Sequence, residues 1–236
     1  MITIQLICDT LAFKVVTING SDYAASGLIF PLGFLFASII TDVYGFTLAG
    51  RVIWVQLICQ AVFILIVNLF VLLPSPVGSE ISLHYLSLYH ELWHVLIAST
   101  CAVVVAYFIN DFVMSQLKIY LSGKYFIIRF LFSNAIGNLF LVSIAYPINF
   151  YNLYPIDHIA VIAINTWLYK MVFAILLFPL AIILANFFKR IEKLDYFDYG
   201  VSYNPMMVFS ENDDGENKFL KKRNTGSLGY ESYPNN

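Results

Sequence analysis

Charge is what this sequence has least of. Only 12% of its 236 residues are Asp, Glu, Lys or Arg, and the formal balance is -2, against roughly 25% charged residues in an ordinary soluble domain. No clustered basic face is present, so a nucleic-acid surface is not expected. Cysteine is equally sparse: Cys8, Cys59 and Cys101 all fall inside apolar runs. With no C-x-x-C spacing they point to buried reduced thiols and to neither a disulfide nor a metal. The phosphate-binding pattern G-x-x-x-x-G-K-[ST] is missing, so ATP would enter through a partner subunit. The first residues lack a basic stretch and an A-x-A site, and their apolar run contains Asp9 and Lys14. A cleaved signal peptide is therefore not expected, and we read the segment as a membrane helix.

What is present is apolar. Hydrophobic residues make up 60% of the chain and the mean hydropathy is +0.76, beyond the apolar share of soluble domains, about 45–50%. A crossing needs roughly 17–25 mostly apolar residues, which places spans at about 1–18, 24–42, 50–73, 92–113, 127–148 and 159–188. The expected fold is all-α and polytopic, with six transmembrane helices over 1–198. From about 199 to 236 the composition turns polar, the mark of a disordered tail. Arg51, the Lys118, Lys124 and Arg129 group, and the basic residues after Arg190 fall in alternate breaks. The positive-inside rule then sets both termini in the cytoplasm, and the even span count agrees.

The stretch Leu28 to Ile53 interrupts its apolar run with Pro31, Gly33 and Ser38 and reaches Asp42, Gly45 and Arg51. Breaks of this kind predict a discontinuous helix near a carrier's binding site. Lys170 lies at membrane depth, where a charge costs about 2.5–3.5 kcal/mol on insertion scales and marks a functional site by default. Helical spacing puts Thr166 on its face and Trp167 beside it. The alternative is a lysine that snorkels or neutralises Asp9 or Asp111; for Lys14, nearer a span end, that reading is preferred. In the fifth span, Asn134 and Asn138 are four apart, as are Ser133 and Gly137, giving one polar stripe. It serves either helix-helix hydrogen bonding or recognition of a planar heterocycle by amide donors and acceptors. Asn110 and Asp111, near the inner end of the fourth span, join this site or mark the helix end. Trp167 and Tyr169 are the candidate stacking surfaces. Phe34, Phe36 and Tyr44 read as core.

One enzyme motif is present, His90-Glu91-Leu92-Trp93-His94. On a helix, H-E-x-x-H sets two imidazoles and a general base for zinc, so an intramembrane zinc metalloprotease is an alternative function. Against it, no further ligand follows at a known spacing, and the motif sits where interfacial His and Trp are expected.

The F-P-x-x-F-L pattern followed by D-V-Y-G and an Arg resembles the queuosine precursor transporter family, also called the vitamin uptake transporter family. Similar matches follow at Ala106, Tyr107, Asp111, Phe112, Leu117 and Lys118, then Arg129, Ser133, Gly137 and Asn138. The last group is Tyr169, Lys170, Pro179, Lys189, Glu192, Asp195 and Asp198. The resemblance covers about 28–205. It implies an inner-membrane importer, not an enzyme and without a cofactor, for 7-cyano-7-deazaguanine or 7-aminomethyl-7-deazaguanine. The expected ligand set is Ser133, Asn134, Asn138, Trp167 and Lys170, with Asp42 and Arg51 as inner gate. Where many members carry acids, this chain has Ser38 and Leu141, which leaves open a different heterocycle. A homo-oligomer or an energising partner subunit is compatible with the sequence. So is a non-transporting membrane scaffold.

Overall fold

In a computed structural model the chain is described over residues 1–11, 15–18, 21–74, 80–150, 155–209 and 216–219, with the backbone alone over 15, 17–18, 21–24, 80–99 and 149–150. Its order is α1 (Ile2–Thr10), β1 (Val15–Ile18), β2 (Ser21–Ala24), α2 (Ala25–Val71), α3 (Glu80–Tyr120), α4 (Phe126–Phe150), α5 (Ile156–Glu192), β3 (Tyr196–Phe197) and β4 (Glu216–Asn217). Each strand pair is antiparallel, β1 with β2 and β3 with β4. Four helical segments, α2, Thr100–Tyr120 of α3, Phe126–Ile148 of α4 and α5, are long and apolar enough to cross a membrane.

Gly45 organises this bundle. It takes φ +84° and ψ 173° inside α2, a conformation essentially restricted to glycine. A straight helix would separate Ser26 and Gln60 by about 50 Å at 1.5 Å per residue. Yet the Cys8 thiol donates to the Ser26 carbonyl (3.6 Å) and Gln60 Nε2 donates to Asp9 Oδ2 (2.8 Å). Both ends of α2 therefore meet α1, and the helix folds back at Gly45 into arms 25–44 and 46–71. At roughly 30 and 39 Å, each arm matches a bilayer core.

Two expectations are corrected here. The break between the spans expected at 24–42 and 50–73 does fall at Gly45, but α2 runs through Pro31, Gly33 and Ser38 without one. The first span, expected over 1–18, is helical only over nine residues, about 14 Å of helix. The β-branched run Val15-Val16-Thr17-Ile18 pairs instead with Ser21–Ala24 in a register that leaves a two-residue connection. Its sequence there, Asn19-Gly20, is the strongest short-range hairpin signal. The even span count rested on that first span, so it no longer supports the placement of the termini.

The first arm of α2 is buried on two faces. Phe30, Phe34 and Ala37 meet Cys8 of α1, Ala106 and Tyr107 of α3 and Leu141 of α4. Leu35, Ile39 and Val43 meet Phe130 of α4 and Ala174, Ala181 and Ala185 of α5, where the small side chains allow close helix approach. Gly137 sets the α3–α4 separation, because an added Cβ would stand 2.8 Å from Phe34, 2.9 Å from Asn110 and 3.1 Å from the Ala106 carbonyl. The outward faces carry Ile58, Leu65 and Phe70 on the second arm and Ile164, Leu176 and Ile183 on α5, all exposed. Such belts suit lipid rather than water.

The segment expected as a tail from 199 behaves differently where it is described. Val201 and Val208 are buried, Trp54 Nε1 donates to the Pro205 carbonyl (2.8 Å), and Arg51 Nε donates to the Val208 carbonyl (2.6 Å).

Candidate functional site

Breaking α2 at Gly45 leaves backbone groups that the helix cannot satisfy itself. Asp198 closes one side, its two carboxylate oxygens accepting from the Phe46 N–H at 3.0 and 3.1 Å. Lys118 closes the other by donating to the Asp42 carbonyl. The signs suit the helix ends, an anion at the start of the second arm and a cation at the close of the first. Around this break Asp42 pairs with Arg129, and its second oxygen meets Lys189 Nζ at 2.7 Å. Asp195 Oδ1 receives Lys118 at 2.8 Å and Lys189 at 2.9 Å. Arg129 also donates to the carbonyls of Lys124 (3.1 Å) and Gly123 (3.2 Å), tying the α3–α4 turn to the same point. Burial would raise the Asp195 carboxyl, but Lys118 and Lys189 outweigh it and hold it below its ordinary value. Burial pushes Asp198 up, with Ser115 and the Phe46 N–H opposing. This end of the bundle is a closed ionic seal.

Above the seal, away from Gly45, lies a second polar centre. Ser38 Oγ accepts from Asn134 Nδ2 at 3.1 Å and Asn110 Nδ2 at 3.3 Å. Asn110 Nδ2 also donates to Asp111 Oδ1 (3.0 Å), Asn134 Nδ2 to the Phe130 carbonyl (2.8 Å), and Asn138 Nδ2 to the Asn134 carbonyl (3.0 Å). All five side chains are at most 2% exposed. Three acceptors in this centre, Asn110 Oδ1, Asp111 Oδ2 and Asn138 Oδ1, receive no hydrogen bond. Buried polar atoms are nearly always satisfied, so an orphaned set asks what satisfies it. The centre is short of donors.

A third polar level lies at the α1 end. Gln5 Nε2 donates to Asp9 Oδ1 (3.1 Å) and Gln60 to the other oxygen, while Gln5 Oε1 and Gln56 Oε1 receive nothing. Lys170, 6% exposed, holds its ammonium 4.6 Å over the Phe30 ring. Phe30 is eight residues from Ser38, roughly 12 Å along the helix. Among the described residues no carboxylate pairs with Lys170, and Asp9 is held by amides.

The site expected from sequence is thus divided. Asn134 and Asn138 meet with Asn110 and Asp111 around Ser38, which the sequence marks both as an interruption of the apolar run and as a position where many relatives carry an acid. Ser133 donates to the Phe130 carbonyl at 3.2 Å and faces Met114. Trp167 is spent on the Ala135 carbonyl at 2.9 Å, a helix-to-helix tie. Lys170 belongs to the α1 level. Asp42 lies in the seal, and Arg51 holds the Val208 carbonyl rather than Asp42. The missed residues had a signal: Gln5 with Asp9 and Gln56 with Gln60 are four apart in apolar runs, the same spacing that singled out Asn134 and Asn138. His90, Glu91 and His94 lie in α3, but their side chains are outside the described residues, as is Lys14.

Among the described residues, four helices of crossing length, one of them folded back at Gly45, are those of a multi-pass membrane protein. Within that class the chain belongs to the family described as "Putative vitamin uptake transporter", whose model matches residues 24–184. The match contains Ser38, Asn110, Asp111, Asn134, Asn138 and Lys170 and leaves Asp195 and Asp198 outside. No curated protein and no solved structure matches the chain.

Proposed function

We propose that the chain imports 7-cyano-7-deazaguanine, 7-aminomethyl-7-deazaguanine or a closely related planar lactam heterocycle across the inner membrane. The observation that carries this reading is the donor deficit around Ser38. Asn110 Oδ1 and Asn138 Oδ1 are open acceptors. Ser38 already accepts from two amides, so its own O–H is the natural donor to a ligand. One donor beside two acceptors complements the pyrimidinone edge of a deazaguanine, which presents one carbonyl beside ring and amino N–H groups. Asn134 fixes Ser38 in place. Lys170, with Gln5, Gln56 and Gln60, borders the approach from the α1 end, where an ammonium attracts the ligand carbonyl. By the positive-inside rule the seal formed by Lys118, Arg129 and Lys189 faces the cytoplasm, so its parting releases solute inward.

The test is queuosine in tRNA from cells lacking precursor synthesis and their native importer, given this gene and external 7-cyano-7-deazaguanine. Queuosine is expected to return. If it does not, with the protein verified in the membrane, the substrate assignment fails.

A further inference from the structure

Asp111 is used by neither the seal nor the solute edge. It is 1% exposed; Oδ1 accepts from Asn110, and Oδ2 receives nothing. Thr41 lies within hydrogen-bonding reach of the carboxyl, but its hydroxyl proton goes to the Ala37 carbonyl at 2.9 Å. No cation offsets the group among the described residues. Lys118, Arg129 and Lys189 are engaged by Asp42 and Asp195, and α4 faces the centre with the amides Asn134 and Asn138. The titratable groups whose fields reach Asp111 are Asp198 from the C-terminal segment and Tyr107 on its own helix, neither a source of positive charge. Asp9 differs, since both its oxygens accept amide N–H groups.

We propose that Asp111 Oδ2 is the site of a transported proton, taken up with the solute from the outer side and released to the cytoplasm. This rests on the reading of the chain as a solute carrier and adds its energy source. The proton forms one O–H bond at Oδ2, donates toward Thr41 Oγ1, and leaves to water when the seal opens; no other reactant is needed. It neutralises a carboxylate that the closing bundle would otherwise hold unpaired, which is why closure requires it. Asn110 Oδ1 and Asn138 Oδ1 then remain for the solute.

The experiment uses purified full-length protein in liposomes with labelled 7-cyano-7-deazaguanine. Counterflow exchange, which needs no gradient, reports carriage; accumulation under an inward proton gradient, and alkalinisation of the outer medium on adding solute, report coupling. The wild type is expected to exchange, to accumulate only with the gradient, and to alkalinise. Asp111→Asn, which places an N–H where the proton would be, is expected to exchange while its accumulation ratio falls to unity. Wild-type exchange without alkalinisation overturns the proton site and leaves the carrier reading standing. Accumulation by Asp111→Asn at the wild-type ratio overturns it equally. Absence of wild-type exchange removes both. Should Asp111→Asn fail to fold, the wild-type alkalinisation decides alone.

Discussion

Asp42 shows how a single residue ties several helices of this bundle together. It is 1% exposed and shared by Arg129 and Lys189, and removing one partner of a buried pair typically costs about 3–5 kcal/mol because the other charge is left uncompensated. Lys189 stays on Asp42 when Arg129 is removed, so Arg129→Met is expected to lower the thermal stability of the detergent-solubilised protein by less than that. Arg129→Met combined with Asp42→Leu should recover part of it, and unfolding curves of the single and double variants decide. In the polar centre the expectation is functional rather than structural. Asn138→Leu removes one of the two acceptors assigned to the solute, and a lost hydrogen bond of roughly 1–3 kcal/mol is a loss of affinity for 7-cyano-7-deazaguanine of roughly 5- to 150-fold. Equilibrium binding checks it; unchanged affinity would move the site elsewhere.

At the scale of elements, Gly45 and Gly137 are positions where an added methyl group would disturb the parts that build the site. Gly45→Ala meets a backbone with φ +84° and a Cβ position 2.5 Å from Asp198 Oδ1. Backbone strain alone costs about 1–3 kcal/mol, and displacement of Asp198 uncaps the second arm. The variant should lose stability, with faster hydrogen exchange at the start of that arm. Gly137→Ala acts differently, wedging α3 from α4 at the level of Asn110. Its larger effect should fall on uptake, because the separation of those helices sets the spacing of Asn110 and Asn138.

Over the whole molecule, the C-terminal segment couples the ionic seal to pH. Asp195 is held below its ordinary value of 3.8 by Lys118 and Lys189 despite its burial. Its folded-state value is depressed, so its contribution to stability is fully present above the unfolded value and is lost as pH falls through the folded one. Stability of the wild type should drop below about pH 4, the ordinary carboxylate range, more steeply than that of Asp195→Asn, which lacks this linkage. Parallel slopes for the two would show that Asp195 does not contribute. Segment 199–209 reads as tail from sequence because it is irregular and runs into the polar stretch that starts at Glu211. It docks through a few contacts, Arg51 and Trp54 to its carbonyls and Val208 against the core, and contacts of that kind leave no periodicity to read.

The apolar runs of α2 through α5 specified membrane helices by themselves, because length and hydropathy suffice to decide that a segment prefers lipid. The i, i+4 spacing likewise sufficed to put Asn134 and Asn138 on one face. Family membership was legible from the order of short motifs between Pro31 and Asp198. Tertiary structure alone decided the rest. It kept α2 continuous through Pro31, where the Gly27 carbonyl left without a proline N–H accepts from the Tyr169 hydroxyl at 2.9 Å, and it supplied the break at Gly45 with the Asp198 carboxylate that completes it. It shortened the first span, where β-branched residues flanking Asn19-Gly20 outweighed the hydrophobic count. It also parted Lys170 from the amides of α4, because sequence spacing fixes which face of a helix a residue occupies, whereas the depth at which two helices meet is set only by packing.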